Sequence, residues 1–194
     1  QLRDPGRALR GAQELIVTDS PHAAATEYRV IGLDPGSRCT GYGLVAERSG
    51  VASLIEAGTI RPNTNDELSD RLGRIFTRLT EIIARHAPQE AAVEDVFVSR
   101  NSSSALKLGQ ARGAVLVACS HMGLPAHTYE PSVIKKNLVG QGRANKDQVA
   151  FMVERILGVS GAKWSKDCSD ALAAAVSHLN ARRLSARMSR AGRA

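Results

Sequence analysis

The sequence predicts an α/β fold: a mixed five-stranded sheet, made of an antiparallel meander plus two parallel strands, flanked by helices. Three observations predict it. Strand-like runs early in the chain are joined by short turn signals, which makes a meander. Apolar runs alternate with helical periodicity in the second half, which implies parallel crossovers. Acids stand where apolar elements end or a helix begins, at Asp34, Glu94, Asp167 and Asp170, and strand ends are where such sheets hold their ligands.

Each element has its own signal. Residues 1–27 mix charges, Pro, Gly and Ala with little periodicity and are expected to be a poorly ordered leader. The folded domain is expected over 28–181, followed by a basic flexible tail over 182–194. Arg29–Asp34, Gly41–Glu47 and Val51–Ile60 read as strands, turned by Pro35-Gly36 and Ser49-Gly50. Asp66–His86 carries Leu68, Leu72, Ile75, Leu79, Ile82 and Ile83 at three-and-four spacing and meets Pro88 just beyond its end, so it is a helix. Ala91–Val96 is a buried strand, Ser102–Met122 a long helix and Pro125–Tyr129 another strand. Pro131–Val139 is a short helix with Pro at its first position. Lys146–Leu157 and Asp167–Leu184 complete the helices, the last with Ser165 as N-cap.

At 194 residues the chain has single-domain length and buries a core without staples. Cys39, Cys119 and Cys168 form no C-x-x-C pair, which argues for a reducing cytoplasm and against a disulfide framework or a zinc site. Each cysteine is expected to be a small buried hydrophobe. No apolar run is long enough to span a membrane. The net charge of +7 is unevenly spread. Arg182, Arg183, Arg187, Arg190 and Arg193 face no acid after Asp170 and read as a solvated end. Arg100, Lys107, Arg112, Lys135, Lys136, Arg143 and Lys146 are opposed only by Glu130, a basic segment inside the fold that suits nucleic acid.

Four converging acids without counter-charge would raise one another's pKa, so they make sense together with divalent metal between them. Asp34 alone is weak evidence, since a Pro-Gly turn often carries an exposed acid, but the glycines of the Asp34–Gly43 run would let backbone approach a phosphate. Glu94 and Asp95 point to opposite faces of their strand, so one of them joins Asp34, and the pattern does not choose which. Asp167 and Asp170, three apart, share one helix face. Ala171-Leu-Ala-Ala-Ala175 behind them is so small that the helix must lie tightly on the sheet and carry its acids to the strand ends. Ser37, Thr40 and Ser102 lack a histidine at a suggestive spacing, since His22, His86, His121, His127 and His178 are scattered, which argues against a serine nucleophile. The chain reads as a metal-dependent phosphoryl-transfer enzyme.

The segments Ile31-Gly-Leu-Asp-Pro-Gly-Ser-Arg-Cys-Thr-Gly-Tyr-Gly43, Glu94-Asp-Val-Phe97, Asn101-Ser-Ser-Ser-Ala-Leu-Lys-Leu-Gly-Gln-Ala-Arg-Gly113 and Asp167-Cys-Ser-Asp-Ala-Leu-Ala173 closely resemble the RuvC family of bacterial Holliday-junction resolvases. The resemblance runs from about Tyr28 to Leu179 and leaves out both ends. It implies a ribonuclease-H-like fold, a homodimer, and paired symmetric nicking of four-way junction DNA in recombination and repair. It also implies that Glu94, not Asp95, joins Asp34, and that Asp167 stands where some members have His. The site would then hold two Mg²⁺ or Mn²⁺ ions on Asp34, Glu94, Asp167 and Asp170, with in-line hydrolysis leaving a 5′-phosphate. Phe97 would stack on a base at the junction centre, and Lys135 and Lys146 would lie near the scissile phosphates. Ser102–Met122, with Leu106, Gly109, Gly113, Val117 and Ser120 along one side, would contribute to the dimer interface. Association with the RuvA–RuvB branch-migration machinery is implied by the family alone.

Two other readings compete. Actin-like and sugar-kinase proteins share an Asp-x-Gly phosphate loop but need two such domains. A noncatalytic junction-binding protein would keep the basic segment without reason to retain all four acids.

Overall fold

The computed structural model describes residues 27–95 and 102–192. Among these residues the chain runs β1 (Tyr28–Asp34), β2 (Thr40–Arg48), β3 (Val51–Ile60), α1 (Leu68–His86), β4 (Glu90–Glu94), α2 (Ser102–His121), β5 (Ala126–Tyr129), α3 (Pro131–Val139), α4 (Lys146–Leu157) and α5 (Lys166–Ala191). The strands form a five-stranded sheet in the order β3-β2-β1-β4-β5. β1, β2 and β3 pair antiparallel, whereas β1 with β4 and β4 with β5 pair parallel, so the expected meander and two parallel strands are both present.

Local chemistry accounts for the turns and caps. Ser49 and Gly50 both have positive φ, 51° and 82°, the backbone that a two-residue hairpin between right-twisted strands requires. The Asn145 side chain accepts from the Gln148 backbone at 2.8 Å, while the Gln148 side chain accepts from the Asn145 N–H at 3.0 Å. This reciprocal capping box fixes the first turn of α4, where Lys146 stands. Ser165 accepts from the Cys168 N–H at 3.3 Å and starts α5 as expected.

The sheet separates two cores. Val30 and Ala92 turn to the face covered by α3, α4 and α5, packing with Val149, Val153, Leu172 and Leu179. Ile31, Leu33, Ala91 and Val93 turn to the opposite face, against Ile75, Leu79, Val115 and Cys119 of α1 and α2. The α5 layer lies close to the sheet because β1 and β2 present glycine there. A Cβ on Gly32 would collide with the Ala171 carbonyl, and one on Gly41 with the Asp167 carbonyl. Gly41 and Gly43 thus face α5, correcting the expectation that they leave room for a phosphate.

Two further expectations are corrected. α5 continues to Ala191, past Leu184, because nothing between them breaks a helix before Gly192. Arg182 and Arg183, assigned to a basic flexible tail, are packed. The Arg182 guanidinium lies 3.6 Å from the centroid of the Tyr28 ring, and Arg183 Nε is 2.7 Å from Glu47 Oε2. Cys119 and Cys168 are buried as expected, but Cys39 is only half-buried. Among the described residues, no helix is long and apolar enough to cross a membrane.

Candidate active site

Strand parity and register bring the acids together. Asp34 shares the α5 face of β1 with Val30 and Gly32, and Glu94 shares the same face of β4 with Ala92. Leu33 pairs with Val93, so Asp34 and Glu94 lie one step further at the carboxyl ends of adjacent parallel strands. α5 delivers the third acid in its second turn. Ligand oxygens of Asp34, Glu94 and Asp170 all lie within 4.8 Å of one another. Asp95 takes the other direction, with its Oδ1 3.3 Å from Arg112 Nε.

Asp167 stands apart from this group of three. The Cys39 thiol donates to its Oδ2 at 3.0 Å, which explains why Cys39 is not an inert core residue. Spacing of three does place both α5 acids toward the sheet, but Asp167 lies over β2 and Asp170 over the gap between β1 and β4.

The electrostatics are those of a crowded carboxylate site. Burial, reinforced by Glu94, Asp170 and Asp167, pushes Asp34 up to about 8. Burial and Asp170 push Glu94 up to about 7, against the pull of Lys146 and Lys135. Lys146 Nζ donates to Asp170 Oδ2 at 2.5 Å, and this bond holds the ammonium above its ordinary range. Three hard oxygen ligands, of which Asp34 and Glu94 are made reluctant to ionise by burial and neighbouring acids, fit a divalent cation, which would relieve that repulsion.

Comparison with known proteins agrees with the geometry. Residues 30–178 match the family model for crossover junction endodeoxyribonuclease RuvC. The chain belongs to the RuvC family. The protein of that name from Solidesulfovibrio magneticus is 59% identical over 155 residues, covering 80% of this chain and 91% of its own. That of Oleidesulfovibrio alaskensis is likewise 59% identical, covering 80% and 92%. Thermus thermophilus RuvC in complex with Holliday junction substrate superimposes with a TM-score of 0.78 at 37% identity, covering 81% of this chain and 96% of that one. The fold is that of RuvC, ribonuclease-H-like, and RuvC family members are metal-dependent endonucleases acting on DNA phosphodiester bonds.

The basic residues divide around this RuvC-type site. Lys135 and Lys146 line a cavity of about 250 Å³ together with Glu94 and Asp170. Lys107 lies on the other flank, in a pocket shared with Ser37, Arg38, Cys39, Arg71 and Asp167. Arg112 turns inward, its Nη2 donating to Thr128 Oγ1 at 3.0 Å in addition to its contact with Asp95. Lys136 and Arg143 are exposed on α3 and in the loop before α4. Phe97 and Arg100 lie outside the described residues. Sequence reasoning missed Arg71, whose Nε and Nη2 donate to the Ser37 carbonyl at 3.1 and 2.5 Å and brace the turn that follows Asp34. Its place on α1 gave no signal, because an arginine on an exposed helix face is ordinary.

Proposed function

We propose that this protein resolves four-way DNA junctions by paired symmetric nicks, through phosphodiester hydrolysis at Asp34, Glu94, Asp170 and the adjoining Asp167. The observation that carries this reading is the group of three carboxylates within 4.8 Å at the strand ends, flanked on both sides by basic side chains. Family membership supports the junction as substrate, since a RuvC relative of 37% identity is known bound to one.

The acids would hold two Mg²⁺ or Mn²⁺ ions. Such ions supply activation of the attacking water and stabilisation of the leaving 3′ oxygen. The protein's own groups orient the reaction. Gly32 and Gly41 let α5 approach the sheet, so Asp170 is held at the site by packed backbone. The Cys39 thiol fixes the Asp167 carboxylate, and Arg71 braces the turn that carries Cys39 toward it. Lys146, with 64% of its side chain exposed, presents a point charge at the rim that suits a phosphate of the scissile strand. Lys135 and Lys107 extend that positive rim, and Lys136 and Arg143 add exposed charge. The basic segment adds Arg100 and the family resemblance adds base stacking by Phe97, whereas Arg112 is held inward.

A homodimer is part of the same reading. Leu106 and Val117 are 66% and 58% exposed on α2, and a Cβ added at Gly109 or Gly113 would meet nothing nearby. That side of the helix therefore faces away from its own sheet. A cytoplasmic location and association with RuvA–RuvB follow from the family. The test is cleavage of a synthetic four-way junction with Mg²⁺ or Mn²⁺, beside a chelator control and an ATPase assay. Symmetric metal-dependent nicks are expected, and ATP hydrolysis without nicking would favour the kinase-like reading.

A further inference from the structure

The end of the sheet opposite the catalytic acids carries a second group of metal-ligating side chains, drawn from three elements. Glu90 opens β4 on the same face as Ala92 and Glu94, His127 of β5 pairs in register with Ala92, and His178 lies on α5 above them. Ligand atoms of Glu90, His127 and His178 all lie within 4.8 Å of one another. His178 is buried, at 4% exposure, and its Nε2 is 2.5 Å from Glu90 Oε2. His127 Nε2 approaches the other oxygen, Oε1, at 3.7 Å. Both imidazoles thus aim the same nitrogen at one carboxylate, and the rings stand 4.9 Å apart.

We propose that Glu90, His127 and His178 form a zinc site, one without cysteine ligands and so not foreseen by the cysteine spacing that argues against zinc. Two neutral imidazoles and one carboxylate are a donor set that zinc accepts, with a water completing four-coordination. Bonds of about 2.0–2.1 Å to tetrahedral ligands separate those ligands by about 3.4 Å. The His127 contact already has nearly that spacing, and the His178 contact has only to open. The other ring nitrogen of His178 is held in the manner such a site needs. Nδ1 lies 2.7 Å from the Tyr129 hydroxyl, which orients the ring and, because a phenol can accept as well as donate, can take an Nδ1–H when Nε2 gives up its proton to bind a metal.

Arg182 and Arg190 line the same cavity, and Arg182 stacks on Tyr28 beside it. The donors themselves select the ion. Two of the three are imidazole nitrogens, which do not suit Mg²⁺ or Ca²⁺, since those ions prefer all-oxygen shells. Imidazole nitrogen favours zinc and its neighbours instead. The cavity, about 660 Å³, gives access from solvent through exposed His127. A bound ion would pin β4, β5 and α5 together. Glu90 and Glu94 are the two ends of one short strand, about 13 Å apart at 3.3 Å per residue, so the site is structural and separate from the chemistry.

The full chain is titrated with Zn²⁺ in excess Mg²⁺, with Co²⁺ substitution as a spectroscopic probe of geometry. We expect one Zn²⁺ per chain, a tetrahedral Co²⁺ spectrum and a rise in melting temperature. His127→Ala removes an exposed side chain, so the fold survives, and it should weaken Zn²⁺ binding on the order of a hundredfold while leaving Mg²⁺-dependent nicking unchanged. Tyr129→Phe, which removes only the support of His178, should weaken it about tenfold or more. Asp34→Asn should leave it untouched. Absence of stoichiometric zinc, unchanged affinity in His127→Ala, or loss of the site in Asp34→Asn would each overturn the assignment.

Discussion

Asp34 and Glu94 end neighbouring parallel strands one step beyond the Leu33–Val93 pair, and both point to the face on which α5 lies. The next residue along the chain, Asp95, points the other way to Arg112. A two-residue acidic run is thereby divided between two jobs by strand parity alone.

Asp34→Asn, Glu94→Gln and Asp170→Asn should each abolish junction nicking while leaving junction binding nearly intact, because binding rests on the basic rim. Asp95→Asn should keep nicking close to the parent rate and cost at most about 1 kcal/mol, the worth of a partly exposed ion pair. Cleavage and gel-shift assays on one junction decide it. An inactive Asp95 variant beside an active Glu94 variant would reverse the assignment of faces.

Asp34 is pushed up to about 8 and Glu94 to about 7, chiefly by burial, whereas unfolded carboxyls ionise near about 4. A folded value above the unfolded one means that this stability is complete below about pH 4 and is lost as pH climbs through about 7 to 8. Divalent cations need the ionised forms, so their binding releases protons and tightens over the same interval. The rise in melting temperature produced by Mg²⁺ should therefore be larger at about pH 9 than at about pH 6, and smaller at both in Asp34→Asn. A Mg²⁺ shift independent of pH would contradict this.

Most of the fold was legible because its signals are local: the Ser49-Gly50 turn, the three-and-four spacing of α1, Pro131 and Ser165 at helix starts. Asp34, Glu94 and Asp170 come together at one end of the sheet, and strand ends and helix starts can both be read from pattern. What sequence could not give was pairing across distance. Glu90, His127 and His178 look scattered until β4, β5 and α5 are set side by side, and nothing in the neighbourhood of Cys39 announces a bond to Asp167. The extent of α5 is hard to read for a different reason: a basic run resembles a solvated tail, yet arginine is a good helix former and the helix continues to Ala191.

Lys146 and Arg112 should behave differently although both were assigned to DNA. Lys146 stands at the rim beside Asp170, so Lys146→Gln should lower cleavage and reduce the salt dependence of junction binding by about one phosphate contact. Arg112 is spent on Asp95 and Thr128. Arg112→Gln should instead lower the melting temperature and leave the salt slope alone. Binding measured over a range of salt separates the two, and equal slopes for both variants would make them equivalent.

Two glycines test the close approach of α5. Gly32→Ala sets a methyl group against the Ala171 carbonyl, so it should cost about 1–3 kcal/mol or more and depress nicking by displacing Asp170. Gly73, inside α1, has open space where its Cβ would be, and Gly73→Ala should stabilise by about 0.5–1 kcal/mol. Chemical denaturation reads both. A neutral Gly32→Ala would mean that the helix rides higher than described.

The proposed dimer rests on the outward stripe of α2, where Leu106, Gly113 and Val117 follow one another at helical spacing. The parent chain should sediment at about twice its 20.7 kDa. Leu106→Glu with Val117→Glu places charge on side chains already 66% and 58% exposed in the single chain, so each substitution should change the protomer's own stability by no more than about 0.5 kcal/mol. Burying those carboxylates against a second copy would be costly without partners. The double variant should therefore sediment as a folded monomer and nick junctions at single, unpaired positions. A double variant that remains dimeric and cuts symmetrically would move the interface to another face of the molecule.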